Sequence, residues 1–224
     1  MNLGQEIALI AGKDLRIERR SKVALNQIVP FSLLVLVMFG FALDADRTAL
    51  RTFTPGLYWM AILLSAILAV HRSVAVEAGE GASEGLLLTG LRPASIFLGK
   101  AAALVLQLLL VAAALLAGVL VLYDAVVDDV ALLVTSLLAA VFATGAAGTI
   151  YGALLGNQRA RETVLPILLL PVLAPVLIGA TRAFGDAMGT VAADGWQWTQ
   201  LLVGFAAIYL AVGVLSHGVL MEES

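Results

Sequence analysis

The chain has 224 residues, 61% of them hydrophobic and only 13% charged, with a formal net charge of −3 and no cysteine. Soluble domains run at about 45–50% apolar and about 25% charged residues, so this composition excludes a water-soluble globule. The missing thiols exclude disulfides, thiolate metal centres and thiol catalysis, and nothing in the charge pattern points to nucleic acid.

A helix needs roughly 20 predominantly apolar residues to cross about 30 Å of hydrocarbon. Six stretches qualify, at about 24–43, 57–75, 99–122, 131–155, 164–182 and 198–220. Lipid offers no hydrogen-bond partners, so each span is expected to be an α-helix. The expected fold class is therefore all-α, with residues 1–224 as a single transmembrane domain. The first apolar run is too long for the h-region of a signal peptide and lacks a small-residue cleavage site, so it is expected to be retained.

Ahead of that run, Leu3, Ile7, Ile10 and Ile17 recur at near-helical spacing among Lys13, Asp14, Arg16, Glu18, Arg19 and Arg20. This pattern predicts an amphipathic helix over 1–22 lying in the membrane interface. The alternative is a solvated basic tail that only sets topology.

Between the second and third spans lies a charged, glycine-punctuated cytoplasmic loop at 76–98. Glu77, Glu80 and Glu84 are spaced to share one face of a short helix, while Gly79, Gly81 and Gly85 permit close backbone approach or a break. The loop reads either as a docking element for another polypeptide or as a solvated connection. Trp59, Trp196 and Trp198, with Tyr58 and Tyr123, fall near outer span ends and are expected to anchor the interface.

In the fourth span Ser136, Ala140, Thr144, Gly148, Gly152 and Gly156 recur every four residues. One helical stripe is thus small from end to end, suited to close packing against another helix or to lining a path. The fifth span carries Pro166, Pro171 and Pro175, of which the last two each remove a backbone hydrogen bond inside the membrane. A bent helix is expected, serving either static packing or a transport pathway. Residues 183–197 are short and moderately polar, and read as a re-entrant hairpin or a plain loop.

Catalytic chemistry finds no support. His71 and His217 have no Cys, second His or carboxylate at metal-ligand spacing, and no intramembrane base is present to activate a hydroxyl. The centres of the spans hold no Asp, Glu, Lys or Arg, whereas ion-coupled carriers usually need one. Gly85-Leu-Leu-Leu-Thr-Gly90-Leu91-Arg92 has the glycine spacing of a phosphate-binding loop but not its lysine and hydroxyl. A membrane protein with neither coupling ions nor a nucleotide site points to energy supplied through 77–100 by a partner.

Several blocks, in order, resemble the CcmB family: Lys13-Asp14-Leu-Arg16-Ile-Glu18-Arg19-Arg20-Ser21, Pro55-Gly56-Leu-Tyr-Trp59, Glu84-Gly85-Leu-Leu-Leu through Ile96-Phe-Leu-Gly99-Lys100, and Arg159-Ala-Arg161-Glu162 through Pro166 to Pro171-Val-Leu-Ala-Pro175. The resemblance implies an ABC-2-like permease of c-type cytochrome biogenesis, often called a haem exporter, with six spans and an N-terminal interfacial helix. It places ATPase coupling at Glu77, Glu80, Gly81, Glu84 and Gly85. It also implies two copies of this chain with two CcmA-type ATPases that bind the ATP, alongside CcmC-like, CcmD-like and CcmE-like haem-handling proteins. Haem would be a transported or partner-held ligand rather than a resident cofactor. Other readings are an ABC-2 permease for a lipid or drug, and a non-transporting scaffold for haem-handling subunits.

With the N-terminus inside, ten of the 13 Lys+Arg residues fall on the cytoplasmic side, leaving Arg47, Arg51 and Arg182 outside. This bias orients the chain in the inner membrane with both termini cytoplasmic. Reporter fusions at Ser224 and beside Asp128 are expected to report opposite sides of the membrane; the same side for both overturns the six-span arrangement.

Overall fold

The computed structural model describes residues 2–22, 24–44, 46–79, 91–155 and 161–222. These fold into seven α-helices, α1 (Leu3–Ser21), α2 (Val29–Ala42), α3 (Arg47–Gly79), α4 (Pro93–Leu122), α5 (Val130–Leu155), α6 (Arg161–Ala187) and α7 (Gly195–Glu222), with a π-helical turn Ala24–Ile28 leading into α2. There is no strand among the described residues, as the lack of backbone partners in hydrocarbon requires.

Helices α3 to α7 are each long and apolar enough to span a membrane, and the count reaches six if the pair Leu3–Ser21 and Asn26–Ala42, bent by 51°, forms one span. The first span therefore differs from a simple straight rod over 24–43. Its α-helical part is 14 residues long and is entered through the π turn, with Pro30 in its first turn. Helix α1 starts with a capping box, in which the Asn2 amide donates to Gln5 Oε1 at 3.1 Å. It ends at Lys22, whose φ of 51° is left-handed.

Helix α5 sits at the centre, packed against α3, α4, α6 and α7. Its small-residue stripe explains how. Ser136, Ala140, Thr144, Gly148 and Gly152 are all buried, so α5 presents almost no side-chain thickness to its neighbours. A Cβ added at Gly148 would lie 2.7 Å from Val70 Cγ2 of α3, and one at Gly145 would lie 2.5 Å from Val105 Cγ2 of α4. At Gly152 the nearest atom is Val74 Cγ2 at 3.2 Å. Gly156 falls outside the described residues.

Among the described residues, buried hydroxyls find partners locally or across helices. Ser32 Oγ of α2 and Ser65 Oγ of α3 lie within hydrogen-bond distance of each other, and of Ile28 O and Ala61 O respectively; one hydroxyl donates to the other, which in turn donates to the carbonyl of its own segment. Tyr58 and Tyr123 are fully buried, their hydroxyls donating to Ala112 O at 2.9 Å and Leu36 O at 2.6 Å. Together with Trp59, 1% exposed, they belong to the core and are not interfacial anchors; Trp196, 47% exposed, keeps that option.

At the outer end, α6 continues unbroken to Ala187 and α7 begins at Gly195, so 188–194 is a tight turn rather than a re-entrant hairpin. The amides of Asp128 and Asp129 both donate to Ala187 O, and the Gly195 amide donates to Asp186 Oδ2 at 2.9 Å. Gly189 has φ +64° and its missing Cβ leaves room for the Asp128 carboxylate.

Overpacking an enclosed helix face typically costs about 1–3 kcal/mol. Gly148→Leu is therefore expected to lower the melting temperature of the detergent-solubilised protein, whereas Gly204→Leu, at a glycine with nothing within 4 Å, should leave it nearly unchanged. Equal melting temperatures for the two variants would place the stripe outside the packing that holds the bundle.

Candidate functional site

The candidate site is the end of the bundle where α3 ends at Gly79 and α4 starts at Pro93, so that the helices take in both edges of the segment expected as a loop at 76–98. Glu77 belongs to the last turn of α3, though its side chain lies outside the described residues, as do Glu80, Gly81, Glu84 and Gly85. What is described is the anchorage on either side. Helix α3 runs past Arg72 and Val76 to Gly79, and the chain returns at Leu91 to start α4 with Arg92 as N-cap and Pro93 in the first turn.

The start of α4 is bound to α1 through a polar clamp not anticipated from the sequence. Ser95 Oγ donates to Glu6 Oε2 at 2.7 Å, and the Arg92 guanidinium lies 3.7 Å from Glu6 Oε1. Glu6 is 6% exposed and Ser95 is fully buried, so the carboxylate is held largely away from water. The Ser95 hydrogen bond, assisted by Arg92 and opposed by desolvation, holds the Glu6 carboxyl below its ordinary range. One turn along, Ile10 packs onto Gly99, where an added Cβ would come within 2.6 Å of Ile10 Cβ.

Helix α1 is thus amphipathic as expected, but its inner face is seated on α4 and not merely on lipid. A signal for the clamp was present in the sequence: Glu6 falls on the same helical face as Leu3, Ile7 and Ile10, and a carboxylate on an otherwise apolar stripe requires a partner. Which partner, 89 residues away, only the packing decides.

Pro166, Pro171 and Pro175 lie inside α6, which runs unbroken from Arg161 to Ala187. Pro171 and Pro175 face outward on an exposed apolar side shared with Ile167 and Ile178. Near the outer end, α3 and α6 bound a lateral groove of about 430 Å³ walled by Trp59, Met60, Leu63, Leu177 and Ile178, with Arg182 at its edge. Phe184 stacks on Tyr58 at 4.6 Å and meets Trp59 edge-on at 5.9 Å behind it. Among the described residues no three of His, Asp or Glu are grouped so as to hold a metal ion.

Residues 5–222 match the protein family described as CcmB protein. A relative named Heme exporter protein B, from Haemophilus influenzae, is 31% identical over 185 residues, covering 80% of this chain and 80% of that protein.

Because Glu6 is held ionised, its contribution to stability is present above the ordinary carboxyl range and is lost as the pH falls through its depressed value. Glu6→Gln keeps the shape and removes the charge. The wild type is expected to melt above this variant near neutral pH, with the difference shrinking as the pH drops below about 4.5, the unperturbed value. A difference independent of pH across that window would assign the effect to packing alone.

Proposed function

Because the chain belongs to the CcmB family, we propose that it is the membrane subunit of an ABC transporter in c-type cytochrome biogenesis, driven by ATP that a separate CcmA-type ATPase hydrolyses. In the complex, two copies of this chain pair with two ATPases in the inner membrane, both termini cytoplasmic. The ATPase presses on 76–98, and the bundle converts that stroke into haem export or into release of a haem-loaded CcmE-like chaperone. CcmC-like and CcmD-like subunits present the haem.

The observation that carries this reading is a family match running almost the whole chain, through the coupling loop itself. Supporting it, the sequence has no phosphate-binding loop of its own, so the chain acts as a transporter component and not as the hydrolysing enzyme. The site also has the mechanics a coupling element needs. Arg92 and Ser95, at the far end of the 76–98 segment where α4 begins, are tied to α1, and the next turn is seated on it through Gly99. A displacement of the loop is therefore delivered to a braced helix end, not absorbed in a slack connection.

The test is charge at Glu84. Rim charges at an interface contribute modestly, whereas truncating one partner of a buried charge pair costs about 2–5 kcal/mol. Wild type, Glu84→Gln and Glu84→Lys are expected to rank in that order in co-purification of the ATPase and in cytochrome c maturation, with membrane insertion unchanged. Full ATPase binding and full maturation by the Lys variant would remove coupling from this face.

A further inference from the structure

We infer that the crevice enclosed by α1, α3 and α4 on the cytoplasmic side binds the phosphate headgroup of an anionic phospholipid. Its polar lining comes from all three helices: Lys13 from α1, Arg72 from α3, and Lys100 and Gln107 from α4, with Asp14 and Glu18 also present. Asp14 is already engaged by Lys13 at 3.7 Å, and three cations face two carboxylates. Two buried donors there, Arg72 Nε and Gln107 Nε2, have no hydrogen-bond acceptor among the described residues.

An orphaned buried donor costs about 1–3 kcal/mol, and a guanidinium cannot shed its proton to escape that cost. What both donors lack is an acceptor, and a phosphodiester with its ester carbonyls supplies acceptors only. Depth fits as well. Gln107 lies two turns beyond Lys100 on α4, about 10 Å further from the helix start, in the order in which a lipid presents phosphate and then esters. Leu15 and Leu104 give the crevice an apolar wall for the first methylenes of the chains. The enclosed space is about 60 Å³. That is the scale of a phosphate group and falls well short of the roughly 300–1,000 Å³ of pockets that enclose drug-sized ligands.

A bound headgroup would join the inner face of α1 to the cytoplasmic ends of α3 and α4, next to the clamp at Glu6. The inference does not depend on what the transporter moves.

The purified full-length protein in phosphatidylcholine nanodiscs is titrated with phosphatidylglycerol, following melting temperature, and retained lipid is counted by native mass spectrometry. Wild type is expected to be stabilised and to retain phosphatidylglycerol. Arg72→Gln and the uncharged change Gln107→Leu should each weaken the apparent affinity by at least about tenfold. Arg16→Gln, an exposed cation on α1 outside the crevice, should not. Inorganic phosphate alone should not stabilise. If Arg16→Gln weakens binding as much as Arg72→Gln, the lipid responds to net charge and the site is refuted. Stabilisation by inorganic phosphate equal to that by lipid replaces the headgroup with a free anion and equally overturns the proposal. Should Arg72→Gln fail to fold, Gln107→Leu decides: wild-type lipid affinity in that variant refutes the site.

Discussion

Close backbone approach at a few glycines is the constraint on which the rest of this structure depends. In lipid the hydrophobic effect no longer drives helices together, so association rests on van der Waals packing and interhelical hydrogen bonds. Gly145 and Gly148 allow α5 to touch α4 and α3 at distances that no Cβ would tolerate, and Gly152 adds a tight contact with α3. With α5 in that position, α6 and α7 pack on its remaining faces and the five long helices become one bundle.

The same device fixes the start of α4 from two sides. Gly99 receives Ile10 of α1, and Gly213 of α7 receives the ring of Phe97, which an added Cβ would overlap. Phe97 also belongs to a small separate core with Ala101 and Ile150, bordered by Tyr209 and Val214. Adjacent residues on the first turns of α4 thus hold different helices, with the Glu6 clamp adding a charged hydrogen-bonded contact to the first of them. Packed interfaces of this kind move between discrete arrangements rather than deforming continuously.

The outer end is fastened by polar contacts instead. Arg51 and Arg47 at the head of α3 both engage Asp124 beyond the end of α4, the turn at 188–194 is closed by the Gly189 and Gly195 amides on Asp186, and the Asp128 and Asp129 amides tie the α4–α5 connection to Ala187 O. These groups are exposed, so each ion pair contributes little individually. Their effect is to shorten connections and fix where the helices emerge.

Composition and spacing by themselves determined the fold class, the positions of the long apolar helices and the small stripe of α5, because hydrophobic length and four-residue periodicity are properties of a single segment. The amphipathic face of α1 was legible for the same reason. What covers such a face was not, since periodicity names a surface and never its neighbour. Only tertiary packing set Glu6 beside Ser95 and Arg92, drew Tyr58, Trp59 and Tyr123 from the expected interface into the core, and made 188–194 a simple turn. It also decided that the first span is entered through a 51° bend. The clamp and the burial of the aromatic rings depend on contacts between residues far apart in sequence, which no single segment encodes.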